Sequence, residues 1–273
     1  MVLLQTSFLK EENHTDEARN LSLRVSFQLV HPSLDDQGNP FMGCDCHIEK
    51  RHRSVTGLWR KRHGAMTTPR PITTLFIDLG NVLLTDSWSP AMRQKAVEQF
   101  DFDFAEVAKR SQLTFEGYEE GKVSLDEYLD WVVFHEPRSF SREAITTFML
   151  AQSQPYPEMV ELVRSLRARY RLKVAVVTND GREFLAHRVK QFGLKELVDF
   201  FIVSCFVHCR KPEVEIYRMA LDIAQVDPAE VVYIDDQELF VEVAQGLGLH
   251  GIHHTDYAAT RAALAALGLT LPD

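Results

Sequence analysis

The sequence predicts an α/β fold: a Rossmann-like parallel sheet with helices on both faces, plus an inserted helical cap. Three observations carry this. From residue 72 onward, short apolar runs alternate with helical patterns, and repeated strand–helix alternation builds a parallel sheet covered on both sides. The runs are apolar nearly throughout, as strands buried on both faces must be. One interval, between the first run and the second, is far longer than a crossover needs and is helical in pattern.

The first strand is expected over 73–78, where an apolar run ends in one acid, Asp78, and a glycine, Gly80, follows two residues later. Helices over 90–100, 104–113, 124–134 and 141–150 fill the long interval, with Gly117 and Gly121 punctuating them. Ser124 and Glu127 have the spacing of a capping box, in which each satisfies a free backbone N–H of the other's turn. Further strands are expected over 173–178, 200–204, 231–235 and 250–253, and helices over 157–170, 182–192, 212–225, 238–247 and 257–267. Pro157 and Pro212 are placed in first turns, where proline's missing N–H costs nothing, and Gly193 follows a helix end. The expected organisation is an α/β core of 71–87 and 155–273, a helical cap of 88–154 inserted after the first strand, and a poorly ordered extension over 1–70, with a possible strand at 21–30.

Composition narrows the function. The chain has 273 residues and a formal net charge of −9, which argues against a nucleic-acid surface. No apolar stretch is long enough to span a bilayer, and the N-terminus lacks the basic start and apolar run of a secretory signal. A cytoplasmic, reducing setting is the default expectation. Cys44, Cys46, Cys205 and Cys209 do not form a disulfide framework for a chain of this length. Cys44 and Cys46 with His47 resemble a fragment of a zinc site but lack a second cysteine pair. Cys205, His208 and Cys209 are read as reduced loop residues.

Four strand ends carry the polar groups. They are Asp78, then Thr178-Asn179-Asp180, then Arg210-Lys211 at a helix start, then Asp235-Asp236. Parallel strands present their carboxyl ends on one edge, so these sets should converge. Asp78 with Asp235 or Asp236 suits a hard cation such as Mg²⁺, which binds through one or two carboxylates and keeps its waters. A threonine hydroxyl, the N–H groups near it and a lysine suit phosphate oxygens, and an aspartate can serve as a nucleophile toward phosphorus.

In order and spacing these motifs resemble the haloacid dehalogenase superfamily over about residues 72–255, with a C1-type cap, and the Asp-Leu-Gly-Asn of 78–81 resembles the subset acting on sugar phosphates. The resemblance implies a phosphorylated Asp78, with Thr178 and Lys211 as the other catalytic groups and Thr178, Asn179 and Lys211 binding substrate. It implies Mg²⁺ held by Asp78, the Gly80 carbonyl, Asp235 and Asp236. The expected function is a Mg²⁺-dependent phosphatase of a small phosphorylated metabolite, working as a monomer or homodimer without nucleic acid or membrane. Gly80 departs from the superfamily's phosphatases, which carry there a second aspartate that protonates the leaving group; general acid–base catalysis contributes about 10²–10⁴-fold. Asp86, Asp180, His135 and Glu136 are candidate substitutes. The alternatives are a catalytically weak member that binds a phosphorylated ligand or partner, and a 2-haloacid dehalogenase. Phe115, Tyr118 and Trp131 are candidate specificity residues of the cap.

Overall fold

The computed structural model describes residues 70–272 together with two short strands, β1 (Ser33–Leu34) and β2 (Pro40–Phe41), which pair antiparallel. These two belong to a compact unit ending at Thr67, and a second unit begins at Thr68. Apart from β1, β2 and Arg70, the expected extension, with its strand at 21–30 and the Cys44–Cys46 pair, lies outside the described residues.

The second unit is built on a five-stranded sheet: β3 (Thr74–Ile77), β4 (Lys173–Thr178), β5 (Phe200–Val203), β6 (Val231–Asp235) and β7 (His250–His253). The order is β5-β4-β3-β6-β7 and every pair is parallel. The chain runs outward from β3 to one side and then returns to its other side, so the strand order reverses at β3. A crevice therefore opens outside its carboxyl end, the place where such sheets bind ligands.

Side chains alternate across the sheet. Leu75, Ile77, Val174, Val176, Val232 and Ile234 enter one apolar core, and Phe76, Ala175, Val177, Val231 and Tyr233 enter the other. Both faces are buried, so the runs read as continuously apolar rather than alternating. Helices α5 (Pro157–Tyr170), α6 (Arg182–Gln191), α7 (Leu194–Leu197) and α11 (Tyr257–Ala266) supply residues to the first core or its margin. Helices α9 (Val214–Ala224) and α10 (Glu238–Gly246) cover the second.

Between β3 and β4 lie α1 (Pro90–Phe100), α2 (Phe104–Glu119), α3 (Leu125–Val132) and α4 (Arg142–Ala151). They bury a third cluster around Trp88, Val107, Tyr128, Leu129, Ile145 and Met149, which Phe184 of α6 joins. The capping box is present, with Ser124 Oγ accepting from Glu127 N at 3.2 Å and Glu127 Oε2 from Ser124 N at 2.9 Å. The segments entering and leaving this helical layer run side by side: Thr85 N donates to the Gln154 carbonyl at 2.8 Å, and Tyr156 N to the Leu83 carbonyl at 2.9 Å.

Three expectations need correction. Helix α2 runs through Gly117 to Glu119, because an interior glycine costs only about 1 kcal/mol and the next residue, Tyr118, is fully buried. Gly121, at φ 66°, closes the helix as expected. Pro212 is not in a helix's first turn: the Lys211–Pro212 peptide is cis and α9 begins only at Val214. The Lys211 backbone is held outside the helix because both its N–H and its carbonyl bond the Asn179 side chain. Cys205 is not in a loop but in a one-turn helix, α8 (Ser204–Val207), and α7 is equally short. Single turns are too brief for a 3.6-residue period to register.

Candidate active site

Asp78 follows β3 directly, and its N–H still donates to the Ile234 carbonyl at 3.0 Å, so the ladder holds the nucleophile candidate's backbone. β4 ends beside it in Thr178, which is buried and helps draw the Asp78 carboxyl down. On the other side β6 ends in Asp235, which is fully buried. Lys211 reaches in from the loop after α8. Its Nζ lies 2.9 Å from Asp78 Oδ1 and 2.6 Å from Asp235 Oδ2, with the ammonium side chain 1% exposed.

Each buried charge is placed by neighbours, as a buried ion must be. Asp235 Oδ2 also accepts the Tyr233 hydroxyl, and Oδ1 accepts Gln237 N at 2.8 Å. Asn179 clamps the Lys211 backbone with two bonds, at 2.8 and 3.0 Å. The Phe240 ring faces the Lys211 ammonium at 5.2 Å, so the residue in this polar neighbourhood is an aromatic lid over the cation. Burial alone would pull the Lys211 ammonium down, but the Asp78 and Asp235 carboxylates outweigh it and hold it above its ordinary range. Burial pushes Asp78 up to about 7 against the pull of Lys211, with Asp235 pushing the same way.

Asp78, Asp235 and Asp236 each offer a carboxylate oxygen, and the three atoms lie within 4.8 Å of one another. Asp78 Oδ1, though near Lys211, is a buried oxygen without a hydrogen-bond donor. An all-oxygen set with a buried orphan atom fits a hard divalent cation. Asp236 Oδ2 accepts from Asn81 Nδ2 at 3.0 Å and from Gln237 Nε2 at 2.9 Å, which leaves Oδ1 available. Asn81 reaches it from a left-handed backbone (φ 53°) that asparagine tolerates; sequence reading passed over this link. His253 Nε2 pairs with the Asp236 carbonyl and His254 N–H donates to that of Asp235, so both histidines anchor the acid pair's backbone.

A cavity of about 190 Å³ opens beside this cluster, lined from below by Gly80, Asn179, Asp180, Asp236 and Phe240 and from the helical layer by Phe115 and Glu119. Of the four substitute acids, Asp86 and Asp180 line it, while His135 and Glu136 do not. Asp180 is tied to Arg188 at 2.7 Å, both 5% exposed. Phe115 lines the cavity; Tyr118 instead packs on the Gly181 backbone, and Trp131 stands 48% exposed away from it. Gly80 has an ordinary φ, and a Cβ there would meet only Asp78 Oδ2, at 3.8 Å. Nothing in the local backbone demands glycine. Cys205 is buried and His208 Nδ1 pairs with the Glu120 carbonyl at 2.8 Å, so neither stands in a metal cluster among the described residues.

The helical layer is latched to the sheet at one end of α2. Arg210, next to Lys211, binds Glu116 and Glu119 at 2.6 Å each, and Ser204 Oγ donates to the Glu119 carbonyl at 2.6 Å. Two glycines allow the close approach: a Cβ on Gly181 would meet the Tyr118 ring at 2.0 Å, and one on Gly121 would meet the Cys205 carbonyl at 2.2 Å. Arg188 holds the connecting segments through Ser87 and Ser153, at 2.7 and 2.9 Å.

Comparison with known proteins agrees with this architecture. The Aspergillus oryzae sesquiterpene phosphatase astK is 27% identical over 191 residues, 67% of this chain and 90% of that protein. The Thermotoga maritima phosphorylated carbohydrates phosphatase is 28% identical over 132 residues, 48% of this chain and 56% of that protein. A magnesium complex of the HAD family enzyme bt-2542 from Bacteroides thetaiotaomicron superposes with a TM-score of 0.59 at 22% identity, covering 68% of this chain and 94% of that one, a likeness of fold. The model of the haloacid dehalogenase-like hydrolases matches residues 72–248. With Asp78 at the switch point of its parallel sheet, this chain is a member of the haloacid dehalogenase-like hydrolase family.

Proposed function

We propose that the protein is a Mg²⁺-dependent phosphatase of a small phosphorylated metabolite. One observation carries this: Asp78, Thr178, Lys211, Asp235 and Asp236 meet at one sheet edge, beside a cavity of about 190 Å³. The relatives that act on phosphorylated carbohydrates and sesquiterpenes support it, as does a similarly folded enzyme bound to magnesium.

Asp78, the Gly80 carbonyl and Asp236 would hold Mg²⁺, with Asp235 a lesser ligand because three donors already engage its oxygens. The ion would neutralise charge on the transferring phosphoryl group. Asp78 attacks phosphorus, the ester oxygen departs with a proton, and water then cleaves the aspartyl phosphate to release phosphate and restore Asp78. Thr178 and Lys211 bind the phosphoryl oxygens, and Lys211 balances the two carboxylates when the site is empty of phosphate. Asn179 acts by fixing Lys211, since its amide is engaged with that backbone. The helical layer covers the reacting centre and excludes water.

With Mg²⁺ present, the protein is expected to hydrolyse 4-nitrophenyl phosphate, and Asp78→Asn to lose about 10³-fold or more. Undiminished turnover by that variant refutes the assigned nucleophile. A second reading, ligand binding with little catalysis, draws on Gly80. Mg²⁺-dependent binding of phosphate without turnover of any ester would favour it.

A further inference from the structure

We propose that Glu119, at the end of α2, is the general acid and base that stands in for the carboxyl absent at Gly80. The inference rests on the phosphatase reading and goes beyond it by giving the leaving-group proton a source. Four carboxylates line the cavity: Asp86, Glu119, Asp180 and Asp236. Asp236 belongs to the cation cluster and already accepts two bonds. Asp180 is locked to Arg188, which in turn holds both connecting segments. Asp86 accepts from Trp88 N at 3.0 Å and shapes the turn into the helical layer.

Glu119 differs from these in placement. Its side chain is 12% exposed, and it lines the cavity from the end of α2, on the helical layer rather than on the sheet that carries Asp78. A leaving group must exit in line with and opposite to the attacking oxygen. Oε2 is fixed by Arg210 at 2.6 Å, while Oε1 has no hydrogen-bond partner among the described residues. Its backbone carbonyl is held by Ser204, so the core itself places the residue. Arg210 adjoins Lys211 in the chain, which couples the position of Glu119 to that of the phosphate-binding lysine.

The electrostatics fit the role. Burial pushes the Glu119 carboxyl up to about 7, with Asp180 and Asp86 adding to the rise and Arg210 and Lys211 opposing it. Glu116 on the same helix shares Arg210, and these are the charged groups that face it from α2, the connecting segment and the core. A group titrating near the working pH can both give and take a proton. In the first step the Asp78 oxygen bonds to phosphorus, the bond from phosphorus to the ester oxygen breaks, and that oxygen takes the proton of Glu119 Oε1. In the second, a water oxygen bonds to phosphorus, the Asp78 oxygen leaves, and the water's proton returns to Glu119.

The test is leaving-group dependence. Glu119→Gln keeps the size and the bond to Arg210. It is expected to slow hydrolysis of an alkyl ester, glycerol phosphate, about 10²-fold, yet to change that of 4-nitrophenyl phosphate only a few-fold. The wild-type alkyl rate should fall as pH rises through about 7, and the variant should lose that limb. Adding Gly80→Asp, for which a Cβ has room, should restore most of the alkyl rate. Independently of turnover, carboxyl ¹³C NMR of the Mg²⁺-loaded protein should show one glutamate titrating near 7 that is missing in Glu119→Gln. Equal losses on both esters, no loss on the alkyl ester, or no such resonance overturns the proposal. Failure of the phosphatase reading looks different: the wild type turns over neither ester, and the proposal falls with it.

Discussion

The sheet edge and the helical layer above it are held by different kinds of contact. At the edge, the Lys211 side chain is 1% exposed and lies between two buried carboxylates, of which Asp235 is held further by Tyr233 and the Gln237 N–H. Across the gap, Arg210 grips Glu116, which is 74% exposed, and Glu119, which is 12% exposed. A buried pair loses several kcal/mol when one partner is removed, whereas an exposed pair contributes about 0–1 kcal/mol. The cation cluster and Asp78 therefore sit on the tightly determined part, while the cover, which carries Glu119, is attached in part through an exposed contact that can be broken and remade. That is the arrangement needed if substrate must enter a closed cavity and product leave it.

This contrast can be broken by mutation, with the largest effect expected in the core. Lys211→Met strands two buried carboxylates, and a loss of about 3–5 kcal/mol is expected. At 2–4 °C per kcal/mol for a unit of this size, Tm falls by roughly 10 °C. A thermal melt unchanged at pH 8 would show that the edge is not the more tightly determined region. Gly181→Ala comes next. Its new methyl meets the Tyr118 ring, so about 1–3 kcal/mol of overpacking is expected, together with a raised KM as α2 lifts from the cavity. A normal KM would mean the cover does not need that close approach. Glu116→Gln is the mildest. It removes the outer half of the latch, and the melt should move by no more than about 0.5 kcal/mol. A larger shift would contradict the view that this contact is weak.

The same division explains what could be read in advance. Strands buried on both faces announce themselves as apolar runs, and each ended where Asp78, Thr178 and Asp235 stand at the carboxyl edge. Parallel pairing then forces those ends together, so most of the candidate cluster follows from order alone. The contacts that fasten the cover do not. Glu119 is one acid among many in a polar helix end, and nothing local marks it as paired with Arg210, 91 residues away. Gly117 and Gly181 look alike as letters; only the fold shows that one merely sits within a helix and the other admits an aromatic ring. Asn179 was legible as a site residue, but its bond to the Lys211 backbone depends on a loop path that no period records.

The two segments joining sheet and helices, hydrogen-bonded from Thr85 to Gln154 and from Leu83 to Tyr156, lie as close as the arms of a hairpin. A chain cut there could be rejoined by a short turn without moving a strand. The helical layer is therefore exchangeable in principle: a different one, spliced at the same two points, would inherit Asp78 and the acid cluster unchanged. If Glu119 is the proton donor, such a graft would bring its own acid or none, and substrate choice and leaving-group chemistry would be inherited as one piece.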